Sequence, residues 1–257
     1  MAAPHLGVHH PARLIDGSPY PRASRRDIAE EILVVLSLSL LASAVFAIID
    51  LATAPLRGQT VVLYPAAPFA TQLASIVFGL APVWLVLYLN RRGGGTVEDL
   101  GLGTSMLGRD ALFGAVLAVL VGSVGIGLYL VSVSIGLNRC VIPAPPLGHW
   151  WTVPILVLGA AQAALLEEIV VVAYLIPRLQ RLALTATAAV GVSALLRGAY
   201  HLYQGWGGFL GNLLLGLVFG AVFVRWRRTW PLIVAHFLLD LGAGLGYIAF
   251  RSHLPGC

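Results

Sequence analysis

The chain has 257 residues, 58% of them hydrophobic and only 11% charged, with a mean hydropathy of +0.88. A soluble domain is about 25% charged, so the composition excludes a soluble globular protein and predicts an integral membrane protein. The formal net charge of +5 is carried by arginine, since the sequence has no lysine, and it sits mostly in short connections, a pattern of membrane orientation rather than of nucleic-acid binding.

Residues 1–27 are polar and rich in Pro, Gly, His and Arg, without helical spacing. They read as a disordered cytoplasmic tail, not as a cleavable signal peptide. His5, His9 and His10 are read there as solvated side chains rather than as metal ligands.

A spanning helix needs about 20 mostly apolar residues. About seven runs qualify: 32–51, 69–89, 111–137, 150–177, 182–203, 208–224 and 230–250. The fold expected is all-α, a polytopic transmembrane helical bundle. Residues 28–149 supply three scaffold helices, residues 150–250 a four-helix core, and residues 251–257 a short tail. Arg13, Arg22, Arg25 and Arg26 precede the first run; Arg91, Arg92 and Arg109 follow the second; Arg178 and Arg181 follow the fourth; Arg225, Arg227 and Arg228 follow the sixth. The alternate connections carry only Arg57, Arg139 and Arg251. Positive loops stay inside, which predicts a cytoplasmic N-terminus and an external C-terminus. Cys140 and Cys257 form no CxxC and no metal spacing. Both fall on the outer side, where a disulfide is chemically allowed; the reading taken is two unpaired cysteines. Residues 91–102, with Gly93, Gly94 and Gly95 in succession, cannot hold a helix and are expected to form a cytoplasmic connector.

Glu167 and Glu168 stand together in the fourth run, with no other charge between Trp151 and Arg178. A carboxylate at membrane depth costs at least about 2.5–3.5 kcal/mol on insertion scales and marks a functional site by default. The remaining ionisable groups of the last four runs are Arg197, His201, His236 and Asp240. His236 and Asp240 are four apart and share a helix face. Glu167 and Glu168 are about 100° apart on an α-helix, so one is expected to face the cavity and the other a partner such as Arg197, because a buried acid needs a base. Tyr200 and Gln204 flank His201 and are candidates to orient it. Gly216 and Gly220 form a GxxxG suited to close helix packing. At about 1.5 Å per residue, Glu167 lies about 16 Å in from Arg178, and His236 and Asp240 about 12 and 18 Å in from Arg228. His201 lies about 30 Å from Arg181 on the same measure, near the far side, unless residues 182–189 first run along the interface.

This set resembles the CPBP family of intramembrane proteases, also called the CAAX-protease, bacteriocin-processing or Abi family. Its EExxxR motif corresponds to Glu167, Glu168, Ile169, Val170, Val171 and Val172. Its FxxxH motif corresponds to Arg197 through His201, and its HxxxN or HxxxD motif to His236 through Asp240. The likeness covers about residues 150–247, and the valines after the glutamates resemble an actinobacterial branch. The sequence departs from the family at Val172, where an Arg is usual, and at Arg197, where a Phe is usual.

The resemblance implies peptide-bond hydrolysis within the membrane, on the cytoplasmic side. Glu167 would activate water, Glu168 would support it, and His201, His236 and Asp240 would orient water and oxyanion or bind a metal. Two His and a carboxylate (His201, His236 and Glu167) also suit Zn²⁺ with an open position for water; a metal-independent mechanism uses the same residues. The expected partners are a peptide or membrane-protein substrate and the lipid bilayer, with no nucleic acid, in a bacterial plasma membrane. Two other functions are compatible with the residues. A proton-coupled transporter would show two inverted halves, and the polar residues are confined to the second half. A catalytically silent immunity or binding protein would keep the scaffold without the chemistry.

Overall fold

The computed structural model describes residues 23–253 except 55 and 57. His5, His9, His10, Arg13, Arg22, Arg57 and Cys257 lie outside the described residues. The described chain is almost entirely helical and forms the expected all-α membrane bundle. Helix α1 (Arg25–Ser37) and α2 (Leu40–Thr53) form one apolar path bent by 57°. Ser24 opens α1 with a reciprocal capping box to Asp27, which satisfies two backbone donors at that terminus. Helices α3 (Phe69–Gly79) and α4 (Ala81–Arg92) run on as one span with a break at Leu80, just before Pro82. Helix α5 (Leu107–Ser134) is the longest single helix among the described residues.

Helix α6 (Thr152–Glu167) continues through a π-helical turn (Glu168–Tyr174) into α7 (Leu175–Arg181), and together they make a 30-residue span. Helices α8 (Ala186–Tyr200), α9 (Trp206–Trp226) and α10 (Trp230–Phe250) complete the bundle. Six of the seven apolar runs coincide with the bent pair and five long apolar helices. The run 182–203 differs: α8 has only 15 residues, about 22 Å of helix against about 30 Å of hydrocarbon. It starts late because Ala183 takes a positive φ of 74° and Thr185 caps Ala188 N–H at 3.2 Å. Residues 182–185 are therefore a turn, not the start of a span.

Polar links show which helix ends share a side. Glu31 pairs with Arg178 at 2.8 Å and Asp110 with Arg228, at the end where the arginine-rich connections gather. At the opposite end Arg139 pairs with Asp50 and donates to the Tyr203 carbonyl at 2.9 Å. There β1 (Thr60–Val62) pairs in parallel with β2 (Cys140–Ile142). Cys140 is disulfide-bonded, against the expectation of two unpaired cysteines. Each of these three ion pairs joins a residue before 150 to a different element, and one apolar core runs from Ile28, Val86 and Leu117 to Val170, Phe219 and Leu232. On α9, Gly216 faces Ala194 and Gly220 faces Val190 of α8; the GxxxG face is what lets these two helices approach.

Candidate active site

The α6–α7 span changes its winding at the two glutamates. Ile169, Val170, Val171 and Val172 follow in succession, and four β-branched side chains crowd the preceding turn of an α-helix. The backbone widens to a π-helix from Glu168 to Tyr174, a form that recurs at functional sites. Ser193 on α8 donates its hydroxyl to the Val171 carbonyl at 2.6 Å, so a neighbouring helix supplies a donor where the regular ladder is interrupted.

Arg197 of α8 is fully buried and holds both carboxylates. Its Nη1 donates to Glu168 Oε1 at 2.7 Å, and its Nη2 lies 3.3 Å from Glu167 Oε2. The splay expected of neighbouring helical residues is bridged because the planar guanidinium fork offers donors in two directions. The Phe219 ring lies under that guanidinium, 5.4 Å from centroid to Cζ. The Tyr200 hydroxyl donates to Glu167 Oε2 at 2.7 Å. One oxygen of Glu167 is thus fixed twice, while Oε1 takes no hydrogen bond from a described residue and is not sealed off from the surface. Glu168 is the closed member of the pair: it is fully buried, and its Oε2 has no partner among the described residues.

Both histidines are positioned through their Nδ1 atoms. His236 of α10 places Nδ1 2.8 Å from Glu168 Oε1 and 3.2 Å from Arg197 Nη2. Its Nε2 lies 3.4 Å from Asp240 Oδ2, so the ring stands between two carboxylates. His201 closes α8, with Nδ1 3.0 Å from the Arg197 carbonyl oxygen. A carbonyl only accepts, so Nδ1 carries the proton and Nε2 is left as the acceptor nitrogen. The Tyr200 and Tyr203 rings flank that imidazole at 4.8 and 5.9 Å.

The five residues proposed from sequence therefore divide. Glu168 and His236 join Arg197 in a buried polar cluster, with Glu167 at its edge. His201 is half-buried and Asp240 is 43% exposed at its side chain. Tyr200, expected beside His201, proves to be a hydrogen-bond donor to Glu167, while Gln204 donates to the Tyr203 hydroxyl at 3.0 Å. Ser193 and Tyr203 went unnoticed in the sequence, because a single hydroxyl in an apolar run carries no spacing signal.

The approach to the cluster is asymmetric. Toward the arginine-rich end, every residue from Ile169 to Ile176 is at most 2% exposed. A cavity of about 470 Å³ does open at that end, lined in part by Asn90, Asp99, Tyr174, Arg178 and Arg227, but none of the five proposed residues borders it. The accessible members, His201 and Asp240, lie toward the opposite end. An opening to the arginine-rich side is thus not what this packing provides.

Among the described residues, no three His, Cys, Asp or Glu side chains gather in a way that would hold a metal ion. The physical reason is visible in the contacts. Arg197 occupies the position between the carboxylates, Glu167 Oε2 is taken by Tyr200, and His236 Nε2 is turned to Asp240 rather than to Glu167. Glu167, His201 and His236 do not converge as a metal donor set among the described residues.

Residues 149–242 match the family model described as Rce1-like, type II CAAX prenyl endopeptidase. This is just over a third of the chain, and it contains every residue of the carboxylate–arginine–histidine cluster. Neither the curated proteins nor the solved structures compared with the chain gave a match.

Proposed function

We propose, from the premise that the segment 149–242 belongs to the CAAX-protease family, that this multi-pass membrane protein is an intramembrane endopeptidase using a glutamate-activated water. The observation that carries the reading is the asymmetry of Glu167. Its Oε2 is pinned by Tyr200 and Arg197, and its Oε1 is left for a water molecule. A carboxylate held in one orientation within reach of water meets the geometric requirement for a general base.

In this mechanism Glu167 Oε1 takes a proton from water as the oxygen attacks the scissile carbonyl carbon. His201 Nε2 accepts a hydrogen bond from the other O–H of the water, which stays on the oxygen, and fixes the direction of attack. Glu167 then returns its proton to the leaving nitrogen as the C–N bond breaks, which leaves a carboxylic acid and an amine. Glu168, Arg197 and His236 do not touch the substrate in this scheme. They keep Glu167 in place, and Asp240 holds His236 from the accessible side. The motif arginine absent at Val172 is replaced in function by Arg197, one helix away.

The arginine-rich end is assigned to the cytoplasm by the positive-inside rule, and the protein to a bacterial plasma membrane. The test is cleavage of a prenylated or a plain hydrophobic peptide by the purified protein, compared with Glu167→Ala and His236→Ala. Loss of cleavage in both supports the reading; full activity in both overturns it. A metal requirement is judged separately, by elemental analysis of wild type beside His201→Ala and His236→Ala.

A further inference from the structure

We infer that Tyr64, outside the matched segment and on the loop after β1, is a substrate-binding residue of this site, donating its hydroxyl to a backbone carbonyl of the bound peptide about four residues from the scissile bond. The inference rests on the endopeptidase reading and extends it.

Three observations place Tyr64. The first is its anchorage. Leu63 N–H donates to the Ile142 carbonyl at 3.1 Å, β1 is paired to β2, and Val141 N–H is bonded to the Tyr129 hydroxyl at 3.1 Å. The backbone beside Tyr64 is thus held to the bundle rather than trailing from it. The second is its seat. A Cβ on Gly159 of α6 would lie 2.5 Å from Tyr64 Oη and 2.7 Å from its Cε1. The phenol lies directly on the glycine, in space that any other residue type would fill. The third is its polar surroundings. Among the described residues no group hydrogen-bonds the Tyr64 hydroxyl, although most of the ring is covered, and the charge that acts on it is Asp240. Burial and that carboxylate push the phenol up to about 12, so it stays protonated, and a donor, at neutral pH. The hydroxyl itself is not sealed off from the surface, so it is free to donate to a bound chain.

Gly159 precedes Glu167 by eight residues on the same helix, about 12 Å along its axis. An extended chain covers that distance in about four residues. The direction agrees with the accessible side of the site, since Tyr64, Asp240 and His201 all lie toward the arginine-poor end. A protease must present its substrate extended, and an extended backbone offers a carbonyl acceptor at each residue.

The test compares kcat and KM for a fluorogenic hydrophobic peptide of about twelve residues across wild type, Glu167→Ala, Tyr64→Phe, Tyr64→Ala, Gly159→Ala and the Tyr64→Ala/Gly159→Ala pair. Tyr64→Phe is expected to raise KM about three- to ten-fold with kcat unchanged, the size of one neutral hydrogen bond. Gly159→Ala is expected to raise KM at least as much, by forcing the phenol off its seat, and to add nothing in the Tyr64→Ala background. Peptides trimmed to two residues on one side or the other of the cut should locate the contact: with one of them the Tyr64→Phe difference disappears. If wild type outperforms Glu167→Ala while Tyr64→Phe matches wild type, the Tyr64 contact is refuted and the endopeptidase reading stands. If Gly159→Ala is equally harmful without Tyr64, the glycine serves helix packing and the inference fails. If wild type and Glu167→Ala are alike, both readings fall together.

Discussion

Arg197→Met should be the most damaging single change in the bundle. The guanidinium is fully buried, has a fully buried Glu168 at 2.7 Å and a mostly buried Glu167 at 3.3 Å. Methionine fills much of the same volume but leaves two carboxylates without their counter-charge. Removing one partner of a buried pair costs about 3–5 kcal/mol, because the remaining charge stays desolvated. Here two acids are orphaned by one substitution, so the upper part of that range is expected. Part of the loss should be recoverable: in Arg197→Met/Glu168→Gln the buried charge is gone, and the variant should regain about 1–3 kcal/mol over Arg197→Met alone, a coupling of the size found for contacting residues. Arg197→Lys should fall between, since a single ammonium cannot serve both carboxylates through a planar fork. Unfolding of the detergent-solubilised protein, followed by tryptophan fluorescence, measures all three variants beside wild type. Arg197→Met unfolding with wild type, or a double variant no more stable than the single, would show that the three groups do not share one buried charge network.

Other predictions concern the residues around that network. Glu167→Gln should lower kcat by about 10²–10⁴-fold, the usual range for a lost general base, with the melting temperature kept within a few degrees; a purified variant that still turns over at the wild-type rate removes Glu167 from the chemistry. Ser193→Ala deprives the buried Val171 carbonyl of its 2.6 Å donor and should destabilise by about 1–3 kcal/mol, read by the same unfolding assay. Val172→Arg, which introduces the residue usual at this place in the family that the segment resembles, should destabilise rather than activate. Position 172 is 1% exposed, and Arg197 already supplies the counter-charge between the glutamates, so a second guanidinium would be buried beside the first; a stable, more active variant would contradict this.

Much of the architecture was legible in the sequence for a direct reason. In a bilayer each backbone polar group must be satisfied within its own segment, so apolar length alone locates most spans, and six of the seven expected runs do correspond to long apolar helices or the bent pair. The run 182–203 misled because hydropathy does not register a turn. Ala183 in the left-handed region and the Thr185 cap shorten α8 to 15 residues without altering the apolar average. The disulfide at Cys140 could not be read either, since pairing depends on proximity and not on spacing.

The same division holds at the site. Charge scarcity singled out Glu167, Glu168, Arg197, His201, His236 and Asp240, because an ionisable group in an apolar helix is too costly to be incidental. Helical periodicity also put His236 and Asp240 on one face, and they stand 3.4 Å apart. What the sequence could not supply was the division of labour. Only the fold shows that Arg197 spans both glutamates, that Tyr200 fixes one oxygen of Glu167, and that Ser193 supports a π-helical turn. Only the fold brings Tyr64 from a distant loop onto Gly159. The sequence by itself determined which residues are too expensive to bury without a purpose. The tertiary structure decided which of their atoms are already spent on one another and which remain for a substrate, because that depends on helix crossings and side-chain reach, which periodicity does not encode.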